Sequence, residues 1–179
     1  SFLMTHMMVM NDLAIDGVYD AIAVIRLRLA SQATSPVPLQ VLRDLAPLDL
    51  EGLVASLWES MGYDVALTPV VSDGGRDIVA SRTEAGSQIR VLIECKQWAG
   101  RVDVTIPRQL LGVLASEKAP KAVVIAPGGF TAGPGSADEF ARINPQLELI
   151  DGAALCVLLA EQFGETWYQR VDRLITRRG

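Results

Sequence analysis

Leu50, Leu53, Val54, Leu57 and Met61 recur at the three- and four-residue spacing that gathers apolar side chains on one face of a helix. Asp49 is a suitable N-cap and Gly62 a C-terminal stop, so a helix is predicted over Asp49–Met61. Alternation then predicts strands near Tyr63–Thr68 and Arg76–Arg82, a hairpin turn at Glu84-Ala85-Gly86-Ser87, and a strand from Gln88 to Trp98. Ile106–Ser116 reads as a helix with Leu110, Val113 and Leu114 facing a sheet, and Lys121–Ala126 as a continuous apolar run suited to a buried strand after a crossover. Ser136–Ile143 is predicted helical, Leu147–Ile150 a last strand, and Asp151 the cap of a helix running through Phe163. The order is αβββαβ with further β and α elements.

Two flanks are less defined. Residues 12–33 carry Val18, Ile22, Ile25 and Leu29 at helical spacing, and Thr34-Ser35-Pro36-Val37-Pro38 joins them to the core. That helix could pack on the domain, pair two subunits or belong to a DNA-recognition region. The tail is predicted helical over Glu165–Arg178, with Trp167, Val171, Leu174 and Ile175 inward and Arg170, Arg173, Arg177 and Arg178 around them. Those arginines suit either phosphate contact or ordinary compensation of a helix dipole.

Composition narrows the class. With 179 residues, half of them hydrophobic, the chain can bury the core of a single domain. No apolar stretch reaches the roughly 18–20 residues of a membrane span, since Ala21–Ala30 is cut by Arg26 and Arg28. The start lacks the pattern of a secretory signal, so the expected location is cytoplasmic. The single histidine, His6, lies in a Met-rich start that can include residues foreign to the protein, which disfavours a Ser-His-Asp hydrolase or a His-rich metal centre. Cys95 and Cys156 have no CxxC spacing and read as small buried hydrophobes.

The candidate chemistry lies on the Gln88–Trp98 strand. Alternation puts Glu94 and Lys96 on one face, roughly 6–7 Å apart, with Leu92, while Val91, Ile93 and Cys95 take the other. Charges two apart on a strand are ordinarily a solvated face. Here the apolar run Ile89–Ile93 argues for burial, and a carboxylate in such a strand needs a cation or hydrogen-bond partner to offset desolvation. With Asp77 introduced by Asp73-Gly74-Gly75, two acids and an ammonium are the parts of a magnesium-dependent phosphodiester-cleaving site. The glycine-rich segments have neither a Walker lysine nor dinucleotide-fold spacing, so turns explain them better than nucleotide binding.

These pieces also resemble a family. Leu57-Trp58-Glu59-Ser60-Met61-Gly62-Tyr63, Ser72-Asp73-Gly74-Gly75-Arg76-Asp77-Ile78-Val79-Ala80, Glu94-Cys95-Lys96-Gln97-Trp98, Gly128-Gly129-Phe130-Thr131 and Leu149-Ile150-Asp151-Gly152 occur in an order similar to the catalytic domain of Mrr-type restriction endonucleases. That domain belongs to the PD-(D/E)XK nuclease superfamily. The resemblance spans about residues 48–160 and implies a restriction-endonuclease-like α/β fold: a three-layer αβββαβ core, mixed sheet flanked by helices, with extra N- and C-terminal helices. The implied organisation is an extension and linker over 1–47, a nuclease core over 48–163 and a helix packed on it over 164–179. By the resemblance Asp77 and Glu94 are the metal-binding acids, Lys96 the catalytic lysine, and Glu51 a further acid of the first core helix. Many Mrr-like sequences have Gln where Glu94 stands. Glu51 also fits simple dipole compensation in a first helical turn. Arg76, Gln109, Phe130 and Thr131 are candidate DNA contacts, against solvent exposure for Gln109 and tight-turn chemistry for the last two.

The implied cofactor is Mg2+ with Mn2+ as substitute, the partner DNA, and the activity endodeoxyribonuclease in restriction or defence. A junction resolvase or repair nuclease of the same fold is the alternative enzyme, and a non-cutting DNA- or partner-binding module the alternative of another class. A net charge of −5 opposes DNA binding. Residues 76–121, however, hold eight Lys or Arg against five acids, a local +3 that leaves −8 elsewhere. Weak affinity is expected without a second module, and two-strand scission by one site per chain favours a homodimer.

Overall fold

A computed structural model describes residues 36–69 and 75–177. The helix predicted over residues 12–33 and the turn residues Ser72–Gly74 lie outside the described residues.

Two helices lead into the sheet, α1 (Pro36–Asp44) and α2 (Pro47–Ser60). The first was expected to be linker. Its prolines fall within the opening turn, where a missing N–H costs little, so they start the helix rather than break it. The same reason corrects the start of α2, where Pro47 opens the helix after Ala46 and Asp49 sits inside the first turn with no capping bond. Gly62, at φ +87°, turns the chain out of α2 as predicted.

Five strands follow in spatial order β1-β2-β3-β4-β5: β1 (Asp64–Leu67), β2 (Ile78–Glu84), β3 (Ser87–Cys95), β4 (Lys121–Ala126) and β5 (Leu147–Asp151). The first three are antiparallel and the last three parallel. Ala85 and Gly86 both have positive φ, at 48° and 81°, and close the β2–β3 hairpin in the two-residue turn that matches strand twist. The parallel links need crossovers, supplied by α3 (Thr105–Glu117) and α4 (Ala137–Ile143).

Side chains of the sheet alternate between two helical layers. Leu92, Ala122, Val124, Leu147 and Leu149 pack with Leu110 and Leu114 of α3 and Ala137 of α4. The opposite face is covered by α2 and by α5 (Gly152–Phe163), which touch each other as well as the sheet. Asp151 caps α5 by accepting from Ala154 N–H at 2.8 Å, as its position predicted. The result is the mixed, helix-flanked sheet expected of a restriction-endonuclease-like α/β fold. No described helix is long and apolar enough to cross a membrane.

The tail departs from the predicted single helix over Glu165–Arg178. It forms a 3-10 turn (Trp167–Arg170) and one short helix, α6 (Val171–Leu174), and then runs extended. Tertiary bonding explains the break: Thr176 N–H donates to the Gly52 carbonyl at 3.2 Å, and its hydroxyl meets that of Ser56 at 2.7 Å. Helix α2 is thereby covered on the side away from the sheet, and Leu50, Leu53, Val54, Ala55, Leu57 and Trp58 are all buried. A Cβ at Gly52 would collide with the Thr176 carbonyl oxygen and approach Ile175 Cγ2 to 2.8 Å. Gly52→Ala should therefore lower unfolding free energy by about 1–3 kcal/mol despite alanine's better helix propensity, as urea denaturation will read.

Candidate functional site

The site forms where β2 and β3 part. Their ladder ends with Ile78 paired to Ile93, and Asp77 is the residue just before β2. Asp77 N–H donates to the Ile93 carbonyl at 2.9 Å, while its own carbonyl accepts from Thr68 N–H at 2.8 Å. Cys95 N–H donates instead to Asp77 Oδ2 at 2.7 Å. A side chain thus replaces the backbone acceptor at the last rung and is pinned beside Glu94. On the other side Lys96 N–H donates to the Ile125 carbonyl at 2.8 Å, which keeps β3 aligned with β4.

Glu94 and Lys96 project together, as alternation predicted. Lys96 Nζ lies 2.5 Å from Glu94 Oε1, and Glu94 is 6% exposed. The second oxygen, Oε2, is buried without a hydrogen-bond partner. Burial raises the Glu94 carboxyl above its ordinary range; the Lys96 bond and charge oppose that rise, and the Asp77 charge adds to it. For Lys96, burial works against the charged form but is outweighed by the bond and charge of Glu94 and by the charge of Asp77, so its pKa is raised. Lys96 is therefore an ammonium at neutral pH. Its Nζ also stands 5.9 Å from the centre of the Trp98 ring.

Glu51 is buried on α2, 8% exposed. Its charge reaches the buried Cys95 thiol, whose pKa is raised chiefly by burial and further by Asp77, Glu51 and Glu94. The three acids therefore gather round the end of β3. Even so, no group of three or more acidic, histidine or cysteine side chains among the described residues is arranged to hold a metal ion.

The suggested DNA contacts are placed differently. Arg76 Nη1 lies 2.5 Å from Glu117 Oε1, and Arg90 Nη2 2.7 Å from Glu117 Oε2, so both guanidinia meet one carboxylate at the end of α3. Gln109 is exposed on α3. Phe130 is buried in the core layer of α3 and α4. The Thr131 hydroxyl accepts from Ala137 N–H at 3.1 Å, the turn chemistry that was the competing reading.

Gln97 is a residue that pattern reading passed over. Its amide nitrogen donates to the carbonyls of Leu42 at 2.7 Å and Leu45 at 2.8 Å, and more distantly to that of Arg43 at 3.2 Å. These are carbonyls at the C-terminal end of α1 and the bend into α2, which a helix cannot satisfy for itself. The end of the lysine-bearing segment is so tied to the corner from which the Glu51 helix departs. No spacing signal announces a cap supplied from more than fifty residues away.

Comparison with known proteins places this geometry in context. The family model Mrr_cat, described as restriction endonuclease, matches residues 42–159. A type IV methyl-directed restriction enzyme of Escherichia coli, EcoKMrr, is 30% identical over 128 residues, which cover 69% of this chain and 41% of that protein. An uncharacterized protein of Sinorhizobium fredii, y4cE, is 31% identical over 85 residues, covering 46% of this chain and 22% of that one. The chain thus spans less than half the length of either curated relative. Among solved structures, the MspJI restriction endonuclease in complex with a 27-mer oligonucleotide matches with TM-score 0.54 at 19% identity, over 83% of this chain and 39% of that one. The DNA modification-dependent restriction endonuclease AspBHI matches with TM-score 0.58 at 14% identity, over 80% and 41%. Both share the fold.

Two outcomes follow from the local bonding. Gln97→Leu strands carbonyls that the amide now satisfies, and should cost about 1–3 kcal/mol in urea denaturation. The raised Glu94 pKa means that the folded state holds its proton more tightly than the unfolded chain. Its contribution to stability is present below the unfolded pKa and is lost as pH rises through that value to the folded pKa. In EDTA, Glu94→Gln should remove this decline, so the stability of wild type relative to the variant falls with rising pH across that window. A parallel pH dependence of the two proteins would refute the assignment.

Proposed function

The chain belongs to the Mrr-type restriction endonuclease family, and from that premise we propose that it is a divalent-metal-dependent endodeoxyribonuclease hydrolysing DNA phosphodiester bonds in restriction of foreign or modified DNA. The observation that carries the proposal is the Glu94 carboxylate, buried beside Asp77, with Lys96 on one oxygen and nothing on the other. Two neighbouring acids with one ammonium paired to Glu94 favour a further cation. Hard oxygen donors suit Mg2+ or Mn2+, and magnesium commonly takes only one or two carboxylates and keeps waters for the rest. The residues present fit such an ion, with Asp77 and Glu94 as its ligands and Glu51 adding negative charge at the neighbouring Cys95. The chemistry a bound magnesium supplies is neutralisation of charge on the phosphoryl oxygens and acidification of water.

The chain's own groups do the rest. Hydrolysis adds a water oxygen to phosphorus and breaks the bond to one sugar oxygen, which takes up a proton. Negative charge builds on the phosphoryl and leaving oxygens. Lys96, ammonium at neutral pH, supplies hydrogen bonds to that charge from a fixed point at the end of β3, a preorganised electrostatic contribution. Asp77 is held by Cys95 N–H, so its carboxylate need not reorganise as charge develops. With one such site per chain, cutting both strands calls for two copies, and a homodimer on DNA is the arrangement proposed.

Plasmid, methylated plasmid and four-way junction DNA, each incubated with Mg2+, Mn2+ or EDTA, test the reading. Cleavage of plasmid DNA is expected only with the metals, and cleavage confined to junctions would instead indicate a resolvase. Asp77→Asn and Lys96→Ala should each lower the cleavage rate by about 100-fold or more with circular dichroism unchanged. DNA binding without cleavage on every substrate would leave a non-catalytic module. Metal affinity measured by calorimetry should weaken as pH falls through the raised Glu94 pKa, because proton and metal compete for one carboxylate.

A further inference from the structure

The nuclease reading leaves Trp98 without a role, although the ring stands exposed next to the site. Of the three tryptophans, Trp58 and Trp167 are buried, at 2% and 1% exposure, whereas Trp98 is 47% exposed. It follows the site directly, and Lys96 Nζ stands 5.9 Å from its ring centre. Its backbone is fixed on both sides. Before it, Gln97 is bound to the carbonyls at the α1–α2 corner. At its own position, the backbone packs against Gly128 so closely that a Cβ there would meet the Trp98 and Gly100 carbonyl oxygens at 2.6 Å.

A large apolar ring on a rigid backbone, left in solvent beside the Lys96 ammonium, is a preformed stacking surface. We propose that Trp98 stacks on a nucleobase of the nucleotide adjoining the cleaved phosphate, so that the substrate is held with that base out of its helical stack. The inference rests on the nuclease reading above. A phosphate at Lys96 leaves the neighbouring nucleotide within reach of the ring, and every base offers the flat face that an indole accepts. Because duplex DNA must be unstacked to meet the ring, a mismatch beside the cut favours binding. The ring sits beside the ammonium without bonding to the acids, so its contribution is to substrate binding.

Steady-state cleavage by wild type, Trp98→Phe and Trp98→Ala tests this on duplexes with and without a mismatch beside the cut. The alanine variant should raise KM by roughly 5- to 150-fold with kcat little changed, the phenylalanine variant should retain most binding, and the mismatch advantage should disappear in the alanine variant. A lower kcat at unchanged KM would mean that the ring acts only by holding Lys96, and would overturn stacking. Tryptophan emission gives a second readout that needs no cleavage. With oligonucleotide added in EDTA, the exposed Trp98 should be quenched and shielded from iodide, while emission from Trp58 and Trp167 reports that the fold is intact. Unchanged emission overturns the proposal. A wild-type chain that cuts no DNA removes the nuclease reading, and the quenching then decides for or against the stacking contact by itself.

Discussion

One hydrogen bond organises the site: Cys95 N–H to Asp77 Oδ2 at 2.7 Å. An antiparallel ladder must end somewhere, and its last donor must be satisfied. Here the Asp77 carbonyl is already engaged by Thr68 N–H, so the Asp77 side chain takes the next N–H of β3. The ladder's end therefore fixes an acid against the neighbouring strand, near enough to Glu94 for its charge to raise that carboxyl's pKa. Backbone pairing of β3 with β4 then holds Lys96 in line. The site's side chains are thus held by backbone bonds at the ends of β2 and β3.

The electrostatics run against stability. A buried carboxylate with one unpartnered oxygen and a second acid across the ladder is an arrangement that folding alone disfavours, and the raised Glu94 pKa is its signature. Elsewhere the chain pairs its half-buried charges. Glu117 takes both Arg76 and Arg90, and Arg82 bonds Glu84 at 3.0 Å while lying over the Tyr63 ring at 4.7 Å. Several cations behind the local +3 of residues 76–121 are thus engaged within the domain. They still contribute to the field at a distance, but their hydrogen-bonding groups are directed inward.

The central elements were legible because their signals are local. Lys121–Ala126 is one apolar run between polar ends, Glu84–Ser87 is a two-residue turn with glycine, and Asp151 stands three residues before the N–H it caps. The facing of Glu94 and Lys96 followed from strand alternation, and their link to Asp77 from the hairpin. What escaped depends on distant partners. The tail breaks because Thr176 bonds α2 at Gly52, and Gln97 caps a helix end far upstream. Phe130 looked available in a glycine-rich loop, but its bridge to Val102 draws the ring into the core. Glycine content marks where a chain can turn, and says nothing of which neighbouring side chain the turn sends inward.

The same distant contacts explain why the site's two halves stay in register. Glu51 belongs to α2, whereas Glu94 belongs to β3 and Lys96 follows its last residue, and no backbone ladder joins a helix to a strand. Buried apolar packing supplies much of the attachment but is tolerant of small slides along the sheet. Directional bonds are not. Gln97 fixes the end of β3 to the α1–α2 corner, and the Thr176 to Gly52 bond fastens α2 from its outer side. Loosening either should leave the layers stacked while shifting Glu51 relative to the other acids, which separates loss of alignment from loss of the fold.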